Sequence, residues 1–236
     1  GSSGRKVLSN KLPGLIKINK IDFVIVNGEN ASDDGRGITQ EIAEQFFEIG
    51  VDVITSGNHI WDKKETLDFI EKENRLLRPA NLANGSPGRG YKIYFSKDKK
   101  FKVGVVNLMG NVFMRKTEDV FKTAKKIREK IILKKNVDFI VVDFHGEITS
   151  EKMAIGHFFD GSSTVVVGTH THVPTADTRI LEKGTAYQTD IGMCGDYNSV
   201  IGMNKENSLK RFFKDKESTH HLPAEGEATL SGIIID

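Results

Sequence analysis

Four short clusters of metal-ligating and proton-carrying side chains punctuate this sequence: Asn27-Gly28-Glu29-Asn30, Ser56-Gly57-Asn58-His59, His145-Gly146-Glu147 and Gly168-Thr169-His170-Thr171-His172. Together they hold two carboxylates, three amides and four imidazoles. Glu29 can bridge two cations with its two oxygens. Neutral imidazole and the amide oxygen of Asn complete shells suited to iron, manganese or zinc, with no thiolate needed. The glycines let the backbone turn sharply and approach an anion closely. His170 and His172, one residue apart, point to the same side if the segment stays extended, or address two different metals from a loop. Asp62 and Glu147 adjoin the clusters as candidates for orienting a ligand, with plain surface charge as the alternative.

Each cluster follows, or runs close to, an apolar run. Near-continuous apolar stretches at Ile21 to Val26, Val51 to Thr55, Val103 to Val106, Phe139 to Val142 and Thr164 to Val167 predict buried strands. Helical patterns lie between them: Arg5 to Leu12, which Pro13 should end or kink, Thr39 to Glu48 with Thr39 as N-cap, Lys64 to Glu73, Val120 to Leu133, and a weaker Ser150 to Phe158. Alternating segments at Gly90 to Phe95, Thr178 to Leu181, Thr185 to Gln188 and Thr229 to Ile235 predict antiparallel strands. The expected fold is a mixed-sheet α/β sandwich. In open α/β sheets ligands bind outside the carboxyl ends of strands, so clusters far apart in sequence can converge at one edge. Taken singly, a histidine is more often a satisfied core or surface residue and Gly-Asn-His is usually a turn. Repetition at successive strand ends carries the metal reading.

At 236 residues and 38% hydrophobic content the chain suits one main domain, expected over residues 1–236. With 34 basic against 32 acidic residues, composition makes no case for a nucleic-acid-coating or membrane-surface protein. The apolar runs are far shorter than the roughly 20 residues that span a bilayer, and no secretory segment opens the chain. The single cysteine, Cys194, excludes an internal disulfide framework and fits a reducing compartment; cytoplasm is the expected location, although a truncated N-terminus could conceal a targeting segment. Cys194 itself reads as a packing residue. His157, on an expected helix, and His220 and His221, in a polar stretch, read as structural or solvated. There is no internal repeat, and Asn84 to Gly90 is too short to link domains. The Lys/Glu-rich Asn204 to His221 is the candidate for a mobile surface excursion.

The clusters resemble those of the calcineurin-like metallophosphoesterases, and within them the YmdB-type 2′,3′-cyclic-nucleotide 2′-phosphodiesterases. The superfamily pattern of a strand-end acid, Gly-Asn-His, a single His and Gly-His-x-His stands here as NGEN, GNHIWD, FHGE and GTHTHVPTAD, and TDIGMCGDYNSVIG is similar to the YmdB-type branch. The resemblance runs over essentially the whole chain and implies an αββα sandwich. It further implies that Glu29 bridges two metals, with Asn30 and His172 on the first and Asn58, His145 and His170 on the second, and that His59 is the general acid. The family's opening strand, which ends in Gly-Asp and supplies an aspartate to the first metal, has no counterpart here, so the domain is expected to lack its first β-strand. The family follows that strand with a Gly-x-x-Gly-Arg turn, which Gly1 to Arg5 fits better than it fits a cloning remnant.

The expected activity is therefore metal-dependent phosphodiester hydrolysis, with a 2′,3′-cyclic nucleotide the favoured substrate. Two cations, iron favoured with manganese, magnesium or zinc as alternatives, on the order of 3.5–4 Å apart would acidify a bridging water and neutralise phosphoryl charge. His59, beside the ligand Asn58, would protonate the leaving ribose oxygen. The rivals are a phosphomonoesterase or nuclease of the same superfamily, and a regulator that binds RNA or a nucleotide without turnover. The expected partner is a small phosphodiester or cyclic nucleotide; RNA and a homo-oligomer are compatible, a membrane is not.

Overall fold

The computed structural model describes residues 1–214 and 220–236. Its largest sheet has six strands in the order β3-β4-β5-β6-β8-β7: β3 (Tyr91–Phe95), β4 (Lys102–Met109), β5 (Phe139–His145), β6 (Val165–Thr169), β7 (Arg179–Ile180) and β8 (Ala186–Gln188). Strands β4, β5, β6 and β8 run parallel, while β3 and β7 are antiparallel edges. Two further strands, β1 (Ile25–Asn27) and β2 (Val53–Thr55), form a parallel pair.

Period-2 alternation along the strands builds the layers. Val106 and Leu108 of β4, Ile140, Val142 and Phe144 of β5, and Val166 of β6 face helices α4 (Val120–Arg128) and α5 (Thr149–Phe159). Val103 and Val105 of β4 and Val141 of β5 face the other way, against Val53 and Ile25 of the two-stranded sheet. That small sheet is covered in turn by α1 (Ser2–Asn19), α2 (Gln40–Glu48) and α3 (Thr66–Lys72), through Leu8, Leu12, Ala43, Phe46, Phe69 and Ile70. The result is the expected mixed-sheet α/β sandwich, two sheets between two helical layers. The face between the sheets changes character toward the strand ends: Val141 gives way to Asp143 and then His145, and Val105 to Asn107. A helix α6 (Lys205–Phe212) and a short pair, β9 (Gly195–Asp196) with β10 (Ala228–Thr229), complete the chain.

Several expectations are corrected. Pro13 does not end the first helix, which runs on to Asn19. Pro13 and Ser9, the residue whose carbonyl loses its partner, are both exposed, so water can take that bond. The turn expected at Gly1 to Arg5 is instead the beginning of α1. Gly4 is required there because a Cβ would overlap the carbonyl of Cys194. The strand expected from Ile21 begins only at Ile25, since Val24 N–H donates to the Asp52 side chain at 2.8 Å rather than to a ladder. The helix expected to Leu133 stops at Arg128, although Ile131 still packs in the core. The strand expected to Ile235 ends at Thr229; beyond it Ser231 Oγ donates to the Ile191 carbonyl at 2.7 Å. The Thr185 to Gln188 segment is antiparallel to β7 as expected but parallel to β6. Within Asn204 to His221, the surface excursion, α6 is helical and residues 215–219 lie outside the described residues.

Candidate metal centre and active site

All four clusters meet where β1, β2, β5 and β6 end. Glu29, 1% exposed, accepts the His59 backbone N–H on Oε1 at 2.7 Å and has Oε2 2.5 Å from His145 Nε2. The same His145 nitrogen lies 3.1 Å from Asn58 Oδ1 and 3.1 Å from His170 Nδ1. Ligand atoms of Glu29, His145 and His170 all fall within 4.8 Å of one another. Asn30 Nδ2 stands 2.9 Å from His172 Nε2, while His172 Nδ1 is 2.7 Å from the Ile201 carbonyl oxygen. Gly57 is flat against His145, whose ring occupies the space a Cβ would need.

A proton inventory tests whether this donor set fits a cation. Thr169 Oγ1 donates to Asp143 Oδ1 at 2.7 Å and sits 3.0 Å from His145 Nδ1, so it accepts the proton of that nitrogen. His145 Nε2 is then a bare lone pair aimed at a carboxylate oxygen, an amide oxygen and a second imidazole. Only a cation at their centre, a proton or a metal ion, satisfies such an array. The electrostatics agree. Burial raises the Glu29 carboxyl, yet the His145 charge and hydrogen bond, with the His59 amide, bring it down to about 2. Burial lowers the His145 imidazole, but Glu29 more than reverses this and its pKa is raised. Burial, then His145, pulls His170 down to about 4, which leaves it a neutral donor. The Oδ1 atom of Asn30 is buried without a hydrogen-bond partner, the second signature of an acceptor that awaits a cation. The residues present fit the group.

His59 is held differently. Its Nδ1 is 2.7 Å from Asp62 Oδ2, and Arg115 Nη2 reaches Asp62 Oδ1 at 3.3 Å, so the ring is fixed on one nitrogen while the side chain stays 25% exposed. Glu147 Oε2 lies 3.2 Å from His170 Nε2. His157, His220 and His221 are exposed and outside the group. Burial pushes the Cys194 thiol up, in keeping with a packing role.

Residues given no role in the sequence reading lie under the candidate ligands. Asp143 accepts Asn27 Nδ2 at 2.9 Å and Thr55 Oγ1 at 2.5 Å, besides Thr169. Asn107 bonds the Ser56 backbone on both sides, N–H to Oδ1 at 2.9 Å and Nδ2 to the carbonyl at 3.0 Å. Lys152 and Asp190 form an ion pair of 2.6 Å below the His170–His172 loop. Asp143 and Asn107 were within reach of pattern reading, because each is a polar residue in register with the apolar inter-sheet face. No helix among the described residues is long and apolar enough to cross a membrane.

A family model described as YmdB-like protein matches residues 1–236. A 2′,3′-cyclic-nucleotide 2′-phosphodiesterase of Bacillus subtilis (strain 168) is 45% identical over all of this chain and 87% of its own length. A putative phosphatase/phosphodiesterase of Mycoplasma pneumoniae is 40% identical over all of this chain and 84% of its own. The crystal structure of a novel phosphatase from Mycoplasma pneumoniae superposes with a TM-score of 0.85 at 40% identity, over 95% of this chain and 80% of that one.

Proposed function

The chain belongs to the YmdB-like protein family, and on that premise we propose that it is a hydrolase of phosphodiesters, acting on a 2′,3′-cyclic nucleotide at a two-cation centre. The observation that carries this reading is the convergence of acceptors on His145 Nε2, with Glu29 Oε2 at 2.5 Å and Asn58 Oδ1 and His170 Nδ1 at 3.1 Å. Asn58, His145 and His170 with one oxygen of Glu29 would hold one cation; Asn30 and His172 with Glu29 would hold the other. The mixed imidazole, amide and carboxylate donors suit iron first, with manganese, magnesium and zinc as alternatives. When bound, such cations supply Lewis acidity toward the phosphoryl oxygens and a nucleophilic water at neutral pH.

The chain's own residues do the rest. The His59 backbone N–H fixes Glu29, and Asp62 holds His59 Nδ1, leaving Nε2 to protonate the leaving ribose oxygen. Arg115 steadies Asp62 from its other oxygen. Asp143 and Thr169 set the His145 tautomer that leaves Nε2 bare. We read the chain as a single domain working in the cytoplasm, where a half-buried lone cysteine stays reduced.

The test is a substrate panel on protein purified anaerobically and reconstituted with Fe or Mn: 2′,3′-cAMP, 3′,5′-cAMP and p-nitrophenyl phosphate, with elemental analysis alongside. We expect about two equivalents of metal and metal-dependent turnover fastest on 2′,3′-cAMP. Preference for the monoester would make it a phosphomonoesterase. Two equivalents bound with no turnover of any ester would make it a binding protein and overturn the reading.

A further inference from the structure

A buried ion pair with no place in the ligand set lies beneath the His170-Thr171-His172 loop. Lys152 Nζ on α5 stands 2.6 Å from Asp190 Oδ2, both side chains 1% exposed. Such a pair is weak evidence for a stabilising role, because taking two charges out of water offsets most of their attraction. The other partners of the carboxylate point elsewhere. Asp190 Oδ2 also accepts the Thr171 backbone N–H at 3.1 Å and the Thr171 hydroxyl at 2.8 Å, and Oδ1 accepts Gly192 N–H at 2.9 Å.

Thr171 is the residue between the two histidines, and both histidines adopt left-handed backbone, with φ of 101° at His170 and 66° at His172. A non-glycine residue held there is strained and persists only when its surroundings over-determine it. Gly168 brings those surroundings close. A Cβ at that position would overlap the Thr189 carbonyl oxygen and would lie 3.1 Å from the Lys152 stem, and Ile191 N–H donates to the Gly168 carbonyl at 3.0 Å. The chain just beyond β8 is thereby drawn against the end of β6, with Asp190 directly under the loop.

We propose that the Lys152–Asp190 pair is a positioning device: through Thr171 it fixes the strained backbone at His170 and His172, so that both imidazoles are aimed before any cation arrives. This rests on the two-cation reading above. Lys152 orients the carboxylate and balances its charge in a dry setting, and Thr171 is the coupling between pair and loop. One loop carries a ligand for each proposed cation, so loosening it should weaken both.

Lys152→Met and Asp190→Asn each leave a buried group unpaired and are prone to misfold, so the decisive variant is Thr171→Val, which keeps shape and removes only the hydroxyl. The probe is Mn²⁺ alone, titrated into metal-free protein and followed by the electron paramagnetic resonance signal of the free ion. Thermal unfolding of the metal-free protein is measured in parallel. We expect Thr171→Val to weaken both Mn²⁺ sites by roughly 10-fold or more, as loss of an outer contact to a ligand does. Its metal-free melting temperature should stay near that of the parent, and Thr171→Ser should restore affinity. Parent protein that binds Mn²⁺ and a Thr171→Val variant of equal affinity would overturn the positioning role alone, as would a drop in melting temperature with affinity unchanged. A parent protein that binds no Mn²⁺ would overturn the two-cation reading, and the device with it.

Discussion

The two halves of the candidate centre are supported in different ways. Asn58, His145 and His170 stand on a polar floor made by the sheets themselves, where Asp143 gathers Asn27, Thr55 and Thr169, and Thr169 in turn holds His145. Asn30 and His172 lie at the edge, where His172 is fixed by the carbonyl of the half-exposed Ile201 and Asn30 Oδ1 has no partner. The first half is rooted in a central strand through His145, around which the loop residues Asn58 and His170 gather; the second lies wholly on loops. A ligand on a sheet floor is pre-aimed at the expense of burying charge, whereas one on a loop is cheaper to hold and easier to displace.

That contrast can be broken most forcefully at His145. Its replacement by Ala removes a ligand and strands the buried carboxylate of Glu29, both side chains being 2% exposed in the intact pair. We expect loss of metal and of activity together, with a loss of about 3–5 kcal/mol in folding stability, the usual scale for breaking a buried pair. His172→Ala, at the loop-borne half, should cost one cation and leave metal-free stability within about 1 kcal/mol of the parent, since it strands no charge. Elemental analysis and urea unfolding of the parent and the two variants, each metal-free and reconstituted, would expose the asymmetry; equal stability losses would erase it.

His59 belongs to neither half, and its replacement separates proton delivery from cation binding. His59→Ala should keep its metals and lose turnover by ~10²–10⁴-fold on 2′,3′-cAMP, the scale of general acid catalysis. An ester with p-nitrophenolate as leaving group needs little protonation and should suffer a much smaller loss. An equal penalty on both substrates, or missing metal, would assign the side chain to structure, through its contact with Asp62.

The convergence of the candidate ligand clusters was legible because side chains of unusual type recur where apolar runs stop, and strand ends in an α/β sandwich must share an edge. The buried strands were legible as near-continuous apolar runs, but which way each side chain turns, Val103 and Val105 toward one layer and Val106 and Leu108 toward the other, is set by the packing of the sheets. A polar residue in an apolar run was visible, but the role it plays depends on long-range contact and escaped. Asp143 looks like one polar residue in an apolar run until Thr55 and Thr169 arrive from other strands, and Lys152 looks like a helix-surface lysine until Asp190, 38 residues later, meets it. Pro13 misled for the opposite reason, because an exposed turn of helix tolerates a missing hydrogen bond that a buried one would not.

The smallest expected effect is the most discriminating. Asn30 makes one contact through Nδ2, 2.9 Å from His172 Nε2, and its buried Oδ1 makes none. In metal-free protein that oxygen is a liability, since a buried acceptor without a donor costs about 1–3 kcal/mol, whereas the bond lost with Nδ2 is worth only about 0.5–1.5 kcal/mol. Asn30→Ala should therefore leave metal-free stability unchanged or raise it by up to about 1 kcal/mol, while metal content falls from about two equivalents toward one. The two changes have opposite signs, and a purely structural asparagine cannot produce that combination. Urea unfolding of the metal-free variant, paired with elemental analysis after reconstitution, reads both. A variant destabilised by more than about 2 kcal/mol that still holds both cations would mean that Oδ1 is satisfied by water in solution, and Asn30 would leave the ligand set.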